Sequence, residues 1–271
     1  MPAYDRHAEL VDKLTEGIAD LTSSAQWRRY LDFQARFRRY SAGNVLLILA
    51  QRPDATRVAG FRSWRDHGRA VRKGERAIWI LAPMVGTKSD DDPESAPHVR
   101  GFKWVPVFDV AQTDGDELPS VCQPLSGDDG ADDFERLVDV ARLIGFRVED
   151  HRFAGPTNGD CCHRRRRIRV EVTRSPNQRL KTLAHELAHA ILHESVDDLS
   201  VAELEAESTA YVVCAQLGLD TAGYSFGYVA TWAGGGGAAI AAIKASCERI
   251  QRAANLIVGS LVGETAEGSR R

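Results

Sequence analysis

The feature that most restricts this chain is the run Lys181-Thr-Leu-Ala-His185-Glu186-Leu-Ala-His189-Ala-Ile-Leu-His193. It contains His-Glu-x-x-His, and the residues around it demand a helix. Ser175-Pro176 with Gln178 reads as an N-cap, a proline at the first helical position and a capping-box partner. Leu180, Leu183, Leu187, Ile191 and Leu192 then recur at helical spacing. One turn separates His185 from His189, so both imidazoles lie on one face and can fill two corners of a tetrahedral zinc site. Glu186 is rotated by about 100° from His185. That places it beside the metal, where a general base for a metal-bound water belongs.

With 8 His in 271 residues, chance places this motif in about one such chain in seventy, so it needs support from its context. A second run, Glu203-Leu-Glu205-Ala-Glu207-Ser-Thr-Ala-Tyr211, supplies carboxylates at the distance a third ligand needs. A histidine six residues after His189 would complete a three-histidine site, but Ser195 stands there. His193 lies about 12 Å of helix rise beyond His185, too far to join the same coordination sphere, and is read as behind the ligands or at the surface. Glu203 and Glu207 share a face at i, i+4, and both stay candidates.

His-Glu-x-x-His followed by Glu-x-x-Ala-Glu-x-x-Ala resembles the ImmA/IrrE-type and wider glutamate-zincin peptidases. The resemblance implies a bound Zn2+, or another divalent ion such as Mn2+, held by His185, His189 and Glu203. It implies peptide hydrolysis with Glu186 as the base. Glu207 falls where the family carries Asp or Asn, so it remains an alternative ligand.

Charge is distributed unevenly. The formal net charge is -3, which excludes a uniformly basic nucleic-acid binder. Yet residues 27–82 carry 13 Arg/Lys against 4 Asp/Glu, and residues 83–130 carry 3 against 10. A basic block of this size is a polyanion footprint. The start of the chain, Met-Pro-Ala-Tyr-Asp-Arg, has no apolar signal core, and no run reaches transmembrane length. Five cysteines with one vicinal pair, Cys161-Cys162, make no secreted disulfide framework. The expectation is a cytoplasmic protein with no membrane partner.

Along the chain the pattern predicts helices at 4–21 and 25–38 and a short buried one ending before Pro53. Strands come next at Ala77–Ala82 and Phe102–Val110, separated by a polar loop at 86–99. Trp79 and Phe108 are read as core. Residues 134–144 predict a helix, Phe146–Val148 a strand and Gly159–Val172 a hairpin with an exposed turn at Arg164–Arg167. The metal helices fall at about 176–194 and 199–217 and a last helix at about 238–258. The fold class is α+β with two domains. Residues 1–115 form an N-terminal α+β domain, 116–130 a linker, 131–262 a mainly helical zincin-like domain with a small sheet, and 263–271 a frayed tail.

The N-terminal half carries Ser41-x-x-Asn44-x-x-Leu47-Ile48, Gln51-x-Pro53, Gly60-Phe61-x-x-Trp64-x-x-x-Gly68-Arg69-x-Val71-x-Lys73-Gly74-Glu75. This constellation resembles the N-terminal domain of ArdC-type antirestriction proteins, a single-stranded-DNA-binding module. The later Leu217-Gly-Leu-Asp220 and Tyr224-Ser225…Tyr228…Trp232 continue that resemblance. Single strands are held by basic grooves with aromatic faces. The matching candidates are Arg36, Arg38, Arg39, Tyr40, Arg62, Trp64, Arg69, Arg72, Lys73 and Arg76, with Asn44 able to read a base edge or to satisfy a buried backbone.

Three readings compete. The first is a single-stranded-DNA-binding protein with a zinc metallopeptidase-like domain, serving antirestriction or the protection of incoming mobile DNA and acting on an unknown protein substrate. The second keeps the DNA binding and makes the metal domain catalytically silent. The third is an ImmA/IrrE-type regulatory peptidase that cleaves a repressor. The basic aromatic N-terminal half, in place of a helix-turn-helix, argues against the third.

Overall fold

The computed structural model describes residues 12, 15, 16, 18, 21, 23–85, 99–116, 130–195, 198–219, 221 and 237–261. In chain order the elements are α1 (Ser24–Arg36), α2 (Ala42–Gln51), β1 (Val58–Ala59), α3 (Phe61–Asp66), β2 (Arg69–Val71), β3 (Ile78–Val85), β4 (Val99–Asp109) and β5 (Thr113–Gly115). They continue with α4 (Gly130–Leu143), β6 (Arg147–His151), β7 (Gly159–Cys162), β8 (Arg167–Glu171), α5 (Pro176–Leu192), α6 (Leu199–Gln216) and α7 (Gly237–Leu261). The fold is α+β. The chain divides into two compact units, one of Met1–Gly17 and Gly43–Pro119, the other of Ile18–Ala42 and Ser120–Arg271.

In the first unit β3 and β4 pair antiparallel, Ile78 opposite Val107, and β1 adds to the other edge of β4. Alternation sends Ile78, Ile80 and Val107 into the core. Trp79 and Phe108 stand on the opposite face and are half-buried, not core as their aromatic character suggested. The apolar stretch of α2 buries Val45, Leu46, Leu47 and Ile48. This helix also covers the edge of β3. The Asn44 amide accepts from Leu81 N at 2.8 Å and donates to Leu81 O at 2.8 Å, and Gln51 does the same for Trp79 at 2.9 and 2.8 Å. Two side-chain amides thus stand in for a missing neighbouring strand.

The second unit is built on α5 and α6. Ser175 caps α5 by accepting from Gln178 N at 3.4 Å, with Pro176 in the first turn. The Gln178 side chain turns forward to Thr182, at 3.3 Å, and leaves the capping box half made. Leu180, Leu183, Leu187 and Ala188 line the buried face of α5. Asp198 caps α6, accepting from Ser200 N at 2.8 Å. Ala202, Leu204, Ala206, Ala210, Val212 and Val213 leave α6 buried round most of its circumference, as befits a helix with little amphipathic contrast. In the small sheet β8 lies between β6, parallel to it, and β7, antiparallel to it.

Helix α1 belongs to this second unit. Its aromatic stripe needs a wall, and α6 provides one. Trp27, fully buried, donates from Nε1 to Ser208 Oγ at 2.8 Å, and Tyr211 OH donates to Asp32 Oδ1 at 2.6 Å. The sequence pattern alone grouped these aromatics with the N-terminal domain. The helix expected at 4–21, the loop 86–99, most of the linker 116–130, Tyr224–Trp232 and the tail 263–271 fall wholly or mainly outside the described residues.

Candidate metal centre

Helical geometry places His185 and His189 side by side on α5, and α6 crosses so that Glu203 faces both. The two Nε2 atoms are 3.1 Å apart, and Glu203 reaches each of them at 3.4 Å, one carboxylate oxygen apiece. Among the described residues this is the one group of His, Cys, Asp and Glu whose ligand atoms converge, all within 4.8 Å. Two imidazoles and a carboxylate, half open to solvent through Glu203 at 46% side-chain exposure, fit a divalent ion with room for a further ligand.

Glu207 lies behind the cluster. Its carboxylate meets His185 Nδ1 at 3.2 Å, on the far side of the ring from Glu203, and pairs with Lys181 Nζ at 3.1 Å. The ring itself therefore separates the two glutamates that sequence left as alternatives. His193 closes α5 and turns inward. Its Nδ1 sits 3.0 Å from His189 Nδ1 and its Nε2 3.2 Å from Glu205, a carboxylate that Arg249 and Ser246 also hold. Lys181, Glu205 and Arg249 were not singled out from sequence. Glu205 stands out only in retrospect, as a charge between two ligand-spaced glutamates.

The electrostatics follow from this packing. Burial pulls the His185 pKa down, but hydrogen bonds to Glu203 and Glu207 outweigh it and raise it to about 9. Bonds from His185 and His189 hold Glu203 well below the usual carboxylate range. Glu186 goes the other way. It is 7% exposed, and burial pushes its pKa up to about 7, with His185 opposing and Glu203 and Asp160 adding to the rise. The edge strand β7 comes close here. A Cβ built on Gly159 would lie 2.6 Å from Thr182 Cγ2 and 3.0 Å from Glu186 Oε1, so only glycine lets the strand approach this tightly. Cys161 and Cys162 on β7 are half-buried free thiols, and burial raises Cys161 to about 12.

The candidate DNA-binding residues are distributed between the units. Arg36, Arg38, Arg39 and Tyr40 lie at the end of α1 and just past it in the second unit, where Asn255 donates to the Arg38 carbonyl at 2.9 Å and Gln251 to that of Tyr40. Arg36 and Arg39 are exposed. In the first unit several candidates have internal duties instead. Asn44 is bound to the β3 edge. Trp64 is a core residue, 2% exposed, donating to Phe108 O at 2.9 Å, and a buried indole offers no face for a base. Arg69 clamps β5 through Thr113 Oγ1 at 2.7 Å and Thr113 O at 3.0 Å. Arg72 is tied to Glu75 at 2.8 Å and Asp114 at 3.2 Å. Arg62, Lys73 and Arg76 stay exposed, as does Phe61. No helix among the described residues is long and apolar enough to cross a membrane.

Comparison with known proteins finds relatives for both halves of the chain. Residues 5–112 match the family model of the N-terminal domain of anti-restriction factor ArdC, and residues 142–215 match that of the IrrE N-terminal-like domain. An uncharacterized protein of Bacillus anthracis is 26% identical over 83% of the chain, which spans 46% of that relative's length. Two crystal structures of the antirestriction ArdC protein from the R388 plasmid share the fold. The metal-free form has a TM-score of 0.53 at 21% identity, covering 83% of this chain and 86% of that one. The Mn(II)-bound form has a TM-score of 0.51 at 22% identity, covering 83% and 90%. A region matching the ArdC N-terminal domain followed by one matching an IrrE-like domain, on a fold shared with the ArdC crystal structures, gives this chain the two-domain architecture of ArdC-type antirestriction proteins.

Proposed function

We propose that this chain is a single-stranded-DNA-binding protein with a metal-dependent peptidase centre, acting in antirestriction or the protection of incoming mobile DNA. The observation that carries the reading is the convergence of His185, His189 and Glu203 beside the buried carboxylate of Glu186. His185 and His189 through Nε2, and Glu203, would hold the ion, zinc or manganese. The Mn(II) form of the structural relative supports a divalent metal of that kind. Such an ion supplies Lewis acidity and a water acidified toward neutral pH. Glu186 is the group that moves the proton. A carboxyl titrating at about 7 accepts one near neutral pH and returns it to a leaving amine. Glu207 and Lys181 hold His185 in orientation from behind.

The DNA half of the proposal rests on the family and on the exposed cations Arg62, Lys73 and Arg76. Fluorescence anisotropy with matched single- and double-stranded oligonucleotides at two salt concentrations tests it. Preferential, salt-sensitive binding of the single strand is expected. Equal weak binding of both forms would remove this half. For the peptidase half, Glu186→Gln is expected to keep the metal and lose hydrolysis of unfolded protein substrates. A metal-loaded wild type that cleaves none of a broad panel points to a DNA-binding protein with a silent metal domain.

A further inference from the structure

We infer that the outer face of the β3–β4 ribbon is the base-stacking surface of the first unit. Phe102, Trp104 and Phe108 on β4, with Trp79 beside them on β3, form a row of rings for the bases of a single strand. The inference rests on the DNA half of the reading above and locates the source of its single-strand preference.

Charge alone supplies no such preference. Arg62, Lys73 and Arg76 attract the phosphates of one strand or of two. Discrimination needs rings, because bases offer their faces only where they are not already stacked in a duplex. The aromatic candidates read from sequence do not serve the first unit. Trp64 is 2% exposed, and Tyr40 belongs to the second unit. Among the described residues of the first unit two aromatic side chains are well exposed, Phe61 at 50% and Phe102 at 64%. The neighbouring aromatic of Phe61 on α3 is the buried Trp64, whereas Phe102 heads a row.

The strand register makes that row. Ile78 pairs with Val107 and Ile80 with Val105, and Ile78, Ile80 and Val107 are buried. Alternation sends the intervening residues to the opposite face, Trp79 across from Pro106, Leu81 from Trp104 and Pro83 from Phe102. Phe108 continues it, across from Ala59 of β1. Phe102 and Phe108 thus stand about 20 Å apart along one strand, with Trp104 about 7 Å from Phe102. Trp79, Trp104 and Phe108 are half-buried and Pro83 and Pro106 exposed. An antiparallel sheet with one face in the core normally turns polar side chains to its other face. Here every outward position from 79 to 83 and from 102 to 108 is apolar.

The charges around the rings select the occupant. No Asp or Glu occurs in residues 78–85 or 99–108, and the exposed Arg100 and Lys103 are interleaved with Phe102 and Trp104. Asp109, which ends β4, is 1% exposed and spends its carboxylate on Thr56 N at 2.8 Å and Ala111 N at 2.9 Å. Rings and cations without an exposed carboxylate in either strand complement a chain of bases and phosphates.

The test uses the full chain and fluorescence anisotropy with two labelled probes of equal length, oligo-dT and a base-free deoxyribose-phosphate strand that keeps the charge and removes the rings. Phe102→Ala should bind oligo-dT about 5- to 150-fold more weakly than wild type, the range that loss of one stacked base gives. Its affinity for the base-free strand and its melting temperature should match wild type, because the ring is exposed and uncharged. Phe102→Trp should restore oligo-dT binding. Equal oligo-dT affinity in wild type and Phe102→Ala overturns the inference and leaves the DNA reading standing. Equal loss on both probes also overturns it, since the ring is then not acting by stacking. Loss of oligo-dT binding in Phe61→Ala but not in Phe102→Ala moves the stacking site to α3 and overturns it too. A wild-type dimer that Phe102→Ala dissociates in sedimentation, at unchanged oligo-dT affinity, makes this face a contact between copies and overturns it likewise. A wild type that binds no single strand overturns the DNA reading itself.

Discussion

Replacing Asn44 by alanine separates a structural duty from a DNA-reading one. Asn44 is 8% exposed and spends both ends of its amide on Leu81, at 2.8 Å to N and 2.8 Å to O. Leu81 faces Trp104 across the β3–β4 ladder, with its own N–H and C=O directed at Asn44. Asn44→Ala therefore removes two hydrogen bonds, each worth about 1 kcal/mol net, and leaves two backbone groups short of a partner. Water reaches part of this edge, since Leu81 is only half-buried, so the total is about 2–3 kcal/mol. The most local readout is amide hydrogen exchange in the full chain. The Leu81 N–H should exchange about 30- to 150-fold faster, because each 1.4 kcal/mol is a factor of ten. Amides of α5 and α6 should not change. Single-stranded-DNA affinity at a temperature where both proteins are folded should also be unchanged. Unaltered exchange at Leu81 together with lost DNA binding would refute the reasoning and return Asn44 to the role of reading a base.

The geometry carries four further expected outcomes. Glu203→Gln should lose divalent-metal binding in a chelator competition, whereas Glu207→Gln should weaken it by about 10- to 100-fold, since Glu207 touches the far side of the His185 ring; the reverse order would make Glu207 the ligand. Gly159→Ala should cost about 1–3 kcal/mol in thermal unfolding through its clash with Thr182, and Thr182→Ser, which deletes the clashing methyl, should recover only part of it, since Arg169 O and Glu186 Oε1 still lie 3.0 Å from the new Cβ. Glu171 accepts from Phe153 N, Thr173 N and Thr173 Oγ1, and these bonds lower its pKa from the ordinary 4.5 to about 2. Its stabilisation is therefore complete above pH 4.5 and fades as pH falls through about 2; a gap between wild type and Glu171→Gln in acid titrations that fails to close over that window would contradict this. Trp64→Phe should destabilise the chain, by about 1–2 kcal/mol from the lost bond to Phe108 O, while leaving single-stranded-DNA anisotropy unchanged.

How legible each feature was depended on the range of the interactions behind it. His185, Glu186 and His189 were legible because a helix converts a four-residue spacing directly into a shared face. The caps at Ser175 and the pairing of β3 with β4 are similarly local. Glu203 and Glu207 could not be told apart, because both lie on the face that meets α5. Only the orientation of the His185 ring distinguishes them, and that is a property of packing. Glu205 was passed over because Arg249 lies 44 residues further on and the other contact, His193, had no evident partner in the sequence. The basic block showed the complementary weakness. A charge count registers Arg69 and Arg72 as available cations, but the fold delivers Thr113, Asp114 and Glu75 to them. Trp64 and Asn44 were ambiguous for the same reason, since an indole or an amide serves a backbone carbonyl as readily as a base.

The passage of the chain between units constrains synthesis and dissection. The segment from Gly43 to Pro119 is enclosed in sequence by Ile18–Ala42 on one side and Ser120–Arg271 on the other, and those two flanks form one compact unit. On the ribosome, Trp27, Tyr30 and Leu31 emerge long before the Ser208 and Tyr211 that α1 meets in the native fold. The apolar face of α1 must wait, exposed, while the intervening unit is completed. A fragment beginning at residue 120 would lack α1 altogether and present the bared flank of α6 to water, a recipe for aggregation rather than an autonomous metal domain. Separating the two proposed activities therefore calls for point substitutions in the intact chain.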